Sequence, residues 1–267
     1  MAITAYSTYS VNIPLYSTTF ADNSWADIQT ATQAGLASSY WKVGDSKAVT
    51  LNGGVGNLTF SNETYYAFIL GFDHNSLYEG TKKLHMAFGK TADGKDIAFC
   101  DGQYQNTGSS AGFRMNTSNT NSGGWSASYM RNTICTQFVS VLPLELQNVI
   151  SYCDKYTDNK GEGANTSGSV YKTSDKIWLL SAVEVYGSNV YGANNYEKNY
   201  TTQYDYYKNG NSNDRYKHNS PNQKCDWWQR SPYKTSKSEF HREYVGATGN
   251  QASASYSLGF APCFVIG

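Results

Sequence analysis

Hydrophobic residues near the N-terminus follow a helical spacing. Ser24 and Asp27 match a capping box, which predicts that a helix begins at this point. Trp25, Ile28 and Ala31 then share one helical face until the next glycine. The sequence therefore predicts an outer helix whose buried stripe carries a tryptophan.

Short apolar segments bounded by turn residues predict the strands of a sheet. Runs of four to eight residues of this kind are typical of buried or half-buried strands. Asn52, Gly53 and Gly54 predict a turn between the first two segments. The predicted strands are 48–51, 65–71, 84–88, 97–99 and 177–180.

Helical spacing returns in the middle of the chain. Met130, Ile134 and Phe138 lie on one face of a predicted helix. Pro143 is a natural start for a second helix. The apolar residues predicted on its face are Leu146, Val149, Ile150 and Cys153. Two helices packed on the outside of a sheet are the expected result.

The segment before the C-terminal part alternates between loop and short-helix signals. Residues 158–169 are rich in Gly, Asn and Ser, which predicts a linker or mobile loop. Ser181 and Glu184 form a second capping box, so a short helix should run to Gly187. Tyrosines follow, and they either pack over the sheet or stack on sugars; packing is favoured, because this stretch has few aliphatic anchors. They are Tyr191, Tyr196, Tyr200, Tyr204, Tyr206 and Tyr207.

Two apolar, aromatic segments at 227–232 and 259–267 enclose a long polar stretch. The pattern predicts two core strands that hold an exposed segment, 233–256, between them, and we call residues 233–256 the display segment. Within it only Phe240 and Val245 resemble core anchors. The remaining residues suit either a solvated hairpin without a task or an adaptable contact surface of the kind found in antibody paratopes.

Several motifs resemble one domain family. The C-terminal part reads W-W-x-R-S-P, then Phe-x-x-x-x-Val, then G-x-x-P-x-F. W-K-V-G-D, R-M-N-x-x-x-T-N-x-G-G-W and L-L-S-x-x-E-V-x-G occur earlier. Together they resemble a domain family of gut bacteria and their phages, which in turn resembles the C-type-lectin-fold variable proteins of diversity-generating retroelements. The chain departs from the family pattern at Gln229, where leucine is usual.

The resemblance implies a fold and a set of site residues. The fold is α+β, a C-type-lectin-like domain over residues 21–267 with a twisted antiparallel sheet and two or three outer helices, preceded by an arm over 1–20. The implied structural frame is Trp227, Trp228, Arg230, Pro232, Gly259 and Pro262, with the tryptophans in the core and Arg230 bonded to backbone. The implied ligand-binding residues are Tyr233, Ser236, Ser238, His241, Arg242, Tyr244, Asn250, Gln251, Ser253, Ser255 and Tyr256.

Composition narrows the class of partner. The 267 residues carry 21 basic and 21 acidic side chains, so there is no electrostatic footprint for nucleic acid. The longest apolar run is far shorter than a membrane-spanning helix. Tyrosine dominates the aromatic residues, with 23 Tyr against 11 Phe and 6 Trp, which favours a binding protein over an enzyme.

Signals for metals, cofactors and disulfides are weak. The five cysteines are widely spaced and lack a C-x-x-C pair, so free thiols are expected, with a Cys225–Cys263 bridge as the alternative on oxidation. Asp93 and Asp96 fit a plain turn better than a calcium loop. The sugar motifs of calcium-dependent lectins are missing, and no cofactor is expected.

No catalytic motif stands out. The four histidines are isolated in sequence, and no nucleophile elbow or phosphate loop occurs. His241 and Glu243 would share a face of a regular strand, but surface display is the favoured interpretation. The active cysteines of formylglycine-generating enzymes, which share the broad lectin-like fold, have no counterpart.

The sequence therefore predicts a recognition protein rather than an enzyme. We expect a phage tail-fibre or surface protein, made in the bacterial cytoplasm without a signal peptide and present in several copies on the virion, that binds a host cell-surface protein or glycan. The expected contact anchors are Tyr233, His241, Arg242, Tyr244, Gln251 and Tyr256. The alternatives are a capsid-decoration or fibre-attachment protein that docks through its N-terminal arm, and, less favoured, an enzyme of the formylglycine-generating type or a glycan hydrolase.

Overall fold

Twelve strands and eight short α-helices form the described part of the chain. The computed structural model describes residues 15–106, 112–187, 192–208, 215–220, 223–246 and 248–267. The strands are β1 Ser46–Val55, β2 Leu58–Phe72, β3 Leu84–Lys90, β4 Ile150–Ser151, β5 Cys153–Asp158, β6 Val170–Asp175, β7 Lys217–Ser220, β8 Gln223–Cys225, β9 Trp227–Pro232, β10 Glu239–Tyr244, β11 Thr248–Ser253 and β12 Cys263–Ile266.

The helices are short and lie between the strands. The α-helices are α1 Trp25–Gln33, α2 Ala37–Tyr40, α3 Ser76–Glu79, α4 Gly124–Ala127, α5 Thr136–Val141, α6 Leu144–Gln147, α7 Ala182–Tyr186 and α8 Asp205–Lys208. A π-helix over Met130–Cys135 precedes α5. Both predicted capping boxes are present, at Ser24 with Asp27 and at Ser181 with Glu184. No helix in the described ranges is long and apolar enough to cross a membrane.

The main sheet has five strands in the order β1-β2-β3-β12-β4, and every neighbouring pair is antiparallel. The C-terminal strand β12 is an interior strand next to the edge, and it pairs with β3 on one side and with the edge strand β4 on the other. Helix α5 packs against β1, and α1 contacts β12. Phe88 of β3, Phe138 of α5 and Phe260 join in one aromatic core, with neighbouring ring centroids 5.3 Å apart. The coarse prediction of an α+β fold is confirmed.

A second, three-stranded sheet carries the display segment. Its order is β11-β10-β9, again antiparallel. Trp227 of β9 bridges to Gly259, which connects this sheet to the segment that leads into β12. The hairpins β5-β6 and β7-β8 form separate two-stranded sheets. The two apolar segments that flank the display segment are thus both strands, although they belong to different sheets.

The predicted turn at Asn52–Gly54 is wrong, since these residues continue β1. The ladder with β2 shifts register between Leu51 and Asn52 and then continues to Val55. A Cβ on Gly53 would lie 3.2 Å from a methyl group of Val141, so glycine serves the close approach of α5 here. The chain reverses two residues later, where Gly56 has a φ of 55°.

The second predicted helix of the middle region is largely wrong. Only the turn Leu144–Gln147 is helical, with Pro143 before it. Ile150 then pairs with Ile266, and Cys153 begins β5. The apolar spacing fits a helix, but Ile150 and Ser151 pair with β12 as a strand. This pairing satisfies the main-chain N–H and C=O groups of both strands. The helix predicted through Met130, Ile134 and Phe138 is confirmed as the π-helix followed by α5, with all three residues buried.

The predicted arm over 1–20 does not end where expected. Residues 1–14 lie outside the described residues. Tyr16 and Phe20 are buried, and the Phe20 ring lies 5.2 Å from that of Trp41. The core therefore begins several residues before the predicted domain boundary at residue 21.

The strand predicted at 97–99 is not a full strand. Within it the structure has isolated bridges, from Ile97 to His218 and from Phe99 to Phe260.

Candidate recognition surface and its frame

The display segment folds as a hairpin on one edge of the three-stranded sheet. Strands β10 and β11 pair in register from Glu239 opposite Ser253 to Tyr244 opposite Thr248. On its other side β10 pairs with β9, whose six residues are all buried. The hairpin therefore has a buried strand on its inner side and an open edge at β11.

The asparagine-rich loop before α4 holds the main chain of the display segment. The side-chain amide of Asn121 donates to the carbonyl oxygens of Ser236 and Glu239, each at 2.9 Å. The Asn121 main-chain N–H donates to the carbonyl of Lys237, also at 2.9 Å. Asn121 is fully buried, and its side-chain oxygen accepts from the N–H of Glu162 at 2.7 Å. Asn121 alone thus fixes the turn that leads into β10.

Two further residues outside the display segment bind its backbone at Ala254 and at Val245. The N–H of Asn116 donates to the carbonyl of Ala254 at 2.9 Å. The carboxylate of Asp226 accepts from the N–H of Val245 at 3.0 Å, beside the tip of the hairpin. These bonds involve atoms that every residue other than proline possesses. Replacing a side chain of the display segment would therefore leave them in place.

Ten of the eleven predicted ligand-binding residues keep solvent access. Tyr244 is the most open, with 43% of its surface exposed. His241 alone is buried. The partly exposed residues are Tyr233, Ser236, Ser238, Arg242, Asn250, Gln251, Ser253, Ser255 and Tyr256. The structure brings these residues onto one hairpin and the turns at its base.

Some of these side chains have partners inside the protein. Arg242 forms an ion pair with Asp226, and its guanidinium lies 5.2 Å from the centre of the Tyr244 ring. Tyr233 lies against Gly192, where an added Cβ would meet the tyrosine ring at 2.6 Å. Tyr244 is the exposed side chain of the set, and Asn250 and Gln251 are partly exposed.

The prediction that His241 is displayed at the surface is wrong. Its side chain is completely buried, and its ring centroid lies 5.5 Å from that of Tyr233. Neither ring nitrogen has a hydrogen-bond partner among the residues that the structure describes. Burial, with a smaller contribution from Lys234, lowers the pKa of His241 to about 3. The imidazole is therefore neutral at physiological pH and makes no surface contact.

Glu243 lies on the same buried face of β10. Its carboxylate accepts from the hydroxyl of Tyr186 and from the side-chain amide of Gln229, the latter at 3.3 Å. Burial raises the pKa of Glu243 to about 7, because the neighbouring groups compensate only part of the cost of its charge. A leucine at position 229 would not provide this amide. His241 and Glu243 share a face but form no hydrogen-bonded acid/base pair.

The frame predicted around the display segment is buried as expected. The indole N–H of Trp228 donates to the carbonyl of Phe113 at 2.8 Å. A Cβ on Gly259 would lie 2.8 Å from the carbonyl oxygen of Asp226, so only glycine fits this close approach of two backbones. The buried frame residues are Trp227, Trp228, Arg230, Pro232, Gly259 and Pro262.

Arg230 does more than bind backbone. It donates to the carbonyl of Leu179 at 2.7 Å, as predicted, and to the hydroxyl of Thr157 at 2.6 Å. Its guanidinium also forms a two-point ion pair with Glu184, the acidic residue of the second capping box. The side chains of Arg230, Thr157 and Glu184 are all buried. The capping box therefore connects α7 directly to β9.

Lys155 extends this pair into a buried ionic network. Its ammonium donates to Glu79 at 2.7 Å, to Glu184 at 3.2 Å and to the hydroxyl of Tyr204 at 2.9 Å. Lys155 and Arg230 balance the charges of the two carboxylates. Burial opposes ionisation of Glu184, but Arg230 and Lys155 outweigh it and lower its pKa. For this reason we interpret the network as a structural element that joins β5, α3, α7 and β9.

Three residues beside this network offer metal-binding atoms. His74, Glu79 and His85 place one ligand atom each within 4.8 Å of one another. The Glu79 oxygen that faces both imidazoles accepts from the Lys155 ammonium, which supplies the positive charge at this position. His85 has its pKa lowered well below the usual range by burial and then by Lys155. The arrangement fits an ammonium in the place of a metal ion.

A second buried polar network lies behind the loop at 158–169. The Glu197 carboxylate accepts from the N–H of Asp158 at 3.0 Å and from the hydroxyl of Ser231 at 2.7 Å. Burial raises the pKa of Glu197 to about 7. Asp158 in turn accepts from the N–H groups of Lys160 and Gly161. The start of the predicted mobile loop is therefore bonded to the core.

The tyrosine-rich region packs over the protein in large part, as favoured, whereas Tyr196 is exposed. Tyr204 and Tyr207 are buried, and Tyr206 is partly buried against the core. Tyr156 and Tyr200 stack with ring centroids 4.9 Å apart. Tyr191 lies outside the described residues.

All five cysteines are free thiols. The thiol of Cys100 interacts with that of Cys225, and this contact raises the Cys100 pKa ahead of burial. The structure therefore gives Cys225 a neighbour other than the Cys263 considered from sequence. Cys263 is buried in β12.

Comparison with known proteins gives one match. Residues 104–267 match the model of DUF6273, a domain of unknown function. No curated protein and no solved structure matches the chain. The matched range contains the display segment, Lys155, Glu184 and Arg230, whereas Glu79 and the strands β1 to β3 lie before it. Because the match covers more than half of the sequence, the chain belongs to the DUF6273 family of domains of unknown function.

Proposed function

We propose that this protein is a non-enzymatic recognition protein that binds its ligand through the display hairpin. In this proposal the domain is C-type-lectin-like and acts on the surface or tail fibre of a phage virion, in several copies. Its ligand is a protein or glycan on the surface of the host cell. Repeated copies would strengthen weak single contacts through a high effective concentration.

The observation that carries the proposal is the division between main chain and side chains in the display segment. Asn121, Asn116 and Asp226 bind its backbone atoms. Ten of the eleven predicted contact side chains keep solvent access. A recognition surface benefits from this arrangement, because a backbone already held in place loses little entropy on binding.

The chemistry of the open side chains also supports binding. Tyr244 offers a large amphipathic ring, and Asn250 and Gln251 offer amides that donate and accept. Tyrosine and arginine are enriched among residues that dominate binding energies. In contrast, His241 and Glu243 are buried and bear no hydrogen bond to each other, which disfavours the acid/base alternative.

Binding of labelled protein to a panel of intact gut bacteria tests the proposal. A display variant carries Tyr244→Ser, Asn250→Ser and Gln251→Ser. A control variant carries Tyr171→Ser and Lys172→Ser, two exposed positions of β6. Both must match the unmodified protein in circular dichroism.

The proposal predicts that the unmodified protein and the control bind the same bacterium and that the display variant loses at least about tenfold in affinity. Equal binding by all three proteins would contradict it. Binding by none of them to any bacterium would favour the particle-bound structural role over host recognition.

A further inference from the structure

A polar cleft lies beside the π-helix, away from the residues assigned to recognition above. Its volume is about 230 Å³. The π-helix supplies Arg131, Asn132 and Cys135, Tyr152 lies between β4 and β5, and Lys176 directly follows β6. π-helical turns are rare, and they occur frequently at functional sites. The cleft is thus a second place at which a small ligand can meet the protein.

The position of Arg131 is fixed by its neighbours. Its Nε donates to Asp175 at 2.6 Å, and one terminal amino group donates to the carbonyl of Ser126 at 3.2 Å and the side chain of Asn132 at 3.1 Å. Asp175 is buried and also accepts from the indole N–H of Trp125 at 3.0 Å. The second terminal amino group of Arg131 donates to no partner among the described residues.

Lys176 gives the cleft a net positive charge. The Arg131 and Asp175 charges cancel, whereas Lys176 forms no ion pair within the described ranges. Its ammonium lies 5.5 Å from the centre of the Tyr152 ring. A ligand that carries a single negative charge matches this balance, because an ammonium and a guanidinium both donate strongly to carboxylate oxygens.

The remaining lining selects among small anions. Tyr152 is 63% exposed and offers a ring face to the C–H groups of a ligand. Asn132 and Thr136 are exposed and provide partners for hydroxyl groups. The volume is below the roughly 300–1,000 Å³ of sites for drug-sized ligands, which limits the occupant to about one sugar ring.

From these observations we infer that the cleft beside the π-helix binds a carboxylated sugar, such as a uronic acid residue. Lys176 and Arg131 hold the carboxylate, and Tyr152 stacks on the ring. The inference does not depend on the display hairpin. It assigns to the protein a second, chemically distinct contact.

The test is titration of the full chain with sodium glucuronate, followed by NMR chemical shifts. Glucose, which lacks the carboxylate, and acetate, which lacks the ring, serve as comparison ligands. The binding variants are Lys176→Gln and Tyr152→Ala. Lys172→Gln is the matched control, because Lys172 is exposed on the same strand as Asp175 and pairs with Asp154 outside the cleft.

We expect glucuronate to shift resonances of the cleft, with an affinity about tenfold lower for each binding variant and unchanged for the control. Glucose and acetate should each bind at least about tenfold more weakly than glucuronate. No shift with glucuronate, or equal affinity in Lys176→Gln, would overturn the site. Acetate binding as tightly as glucuronate would overturn the assignment of a sugar.

Discussion

The side-chain amide of Asn121 donates to the carbonyl oxygen of Glu239 across 2.9 Å, although the two residues lie 118 positions apart in the chain. The same amide holds the carbonyl of Ser236. A loop rich in polar residues thus acts as a clamp on the main chain of the display segment. The predictions below follow from this clamp and from the buried polar networks beneath it.

Replacing Asn121 by alanine should destabilise the protein strongly. The change leaves two partly buried carbonyl groups and the N–H of Glu162 without their partner. Each lost bond of this kind costs about 1 kcal/mol or more, so we expect about 3 kcal/mol in total. Thermal or urea unfolding measures the loss. Thr117→Ala, at an exposed position of the same loop, is the control and should be neutral; an equal, small effect of both would count against the clamp.

Replacing Lys155 by methionine should destabilise the protein more than the double change Lys155→Met and Glu79→Gln, which also neutralises the partner carboxylate. The single change leaves Glu79 without its ammonium partner, whereas Glu184 keeps its ion pair with Arg230, and we expect a cost of about 3–5 kcal/mol. Adding Glu79→Gln should recover part of this loss in a double-mutant cycle by urea unfolding. The exposed Lys172→Met should change nothing measurable. Additive effects of the two changes would show that the buried charges are not coupled.

Glu197 should make stability depend on pH near neutrality. Its folded pKa of about 7 lies above the usual value, so the folded state binds an extra proton between about pH 4.5 and 7. This contribution is fully present at low pH and is lost as the pH rises through 7. Glu197→Gln should therefore reduce the fall in unfolding free energy between pH 5 and 8 by about 2–3 kcal/mol.

The pKa of Glu243 is also raised to about 7. Part of the pH dependence of stability should therefore persist in Glu197→Gln. The double change with Glu243→Gln should give the flattest profile. Urea unfolding at several pH values measures all three proteins. A profile of Glu197→Gln that matches the unmodified protein would mean that Glu197 is ionised throughout.

Replacing His241 by phenylalanine should stabilise the protein, most of all in mild acid. The ring nitrogens are buried without partners, and an apolar ring of similar shape removes that cost of about 1 kcal/mol. The pKa of His241 is about 3 in the folded protein and about 6.5 in the unfolded chain. The protein therefore loses stability as the pH falls below about 6.5. Unfolding at pH 7 and pH 5 checks both effects, with exposed Tyr244→Phe as the control. A destabilised Phe variant would indicate a required imidazole.

Local signals in the sequence predicted much of the fold. Ser24 and Ser181 cap helices through reciprocal bonds within four residues, so their motifs are readable without tertiary context. The segment 146–153 was misread, because its apolar residues suit either a helix or a strand. Its conformation is decided by β12, which lies more than a hundred positions away.

The candidate site shows the same limit. The position of the display segment between two apolar frames was predicted, and ten of its eleven chosen residues retain solvent access. The burial of His241 was missed because strand alternation alone does not say what covers a face. The ionic network was also missed, since Lys155 and Glu79 carry no motif. Only Glu184 gave a signal, through its capping box.

The side chains of Asn121 and Asp226 fix the backbone of the display segment, and we therefore expect the open side chains of the segment to be replaceable. We would measure the protease resistance of two surface-displayed libraries, one randomised at Tyr244, Asn250 and Gln251 and the other at Asn121 and Asp226, whose side chains bind the backbone of the display segment. We expect most members of the first library to resist proteolysis like the unmodified protein and few members of the second to do so. Similar loss of resistance in both libraries would contradict it.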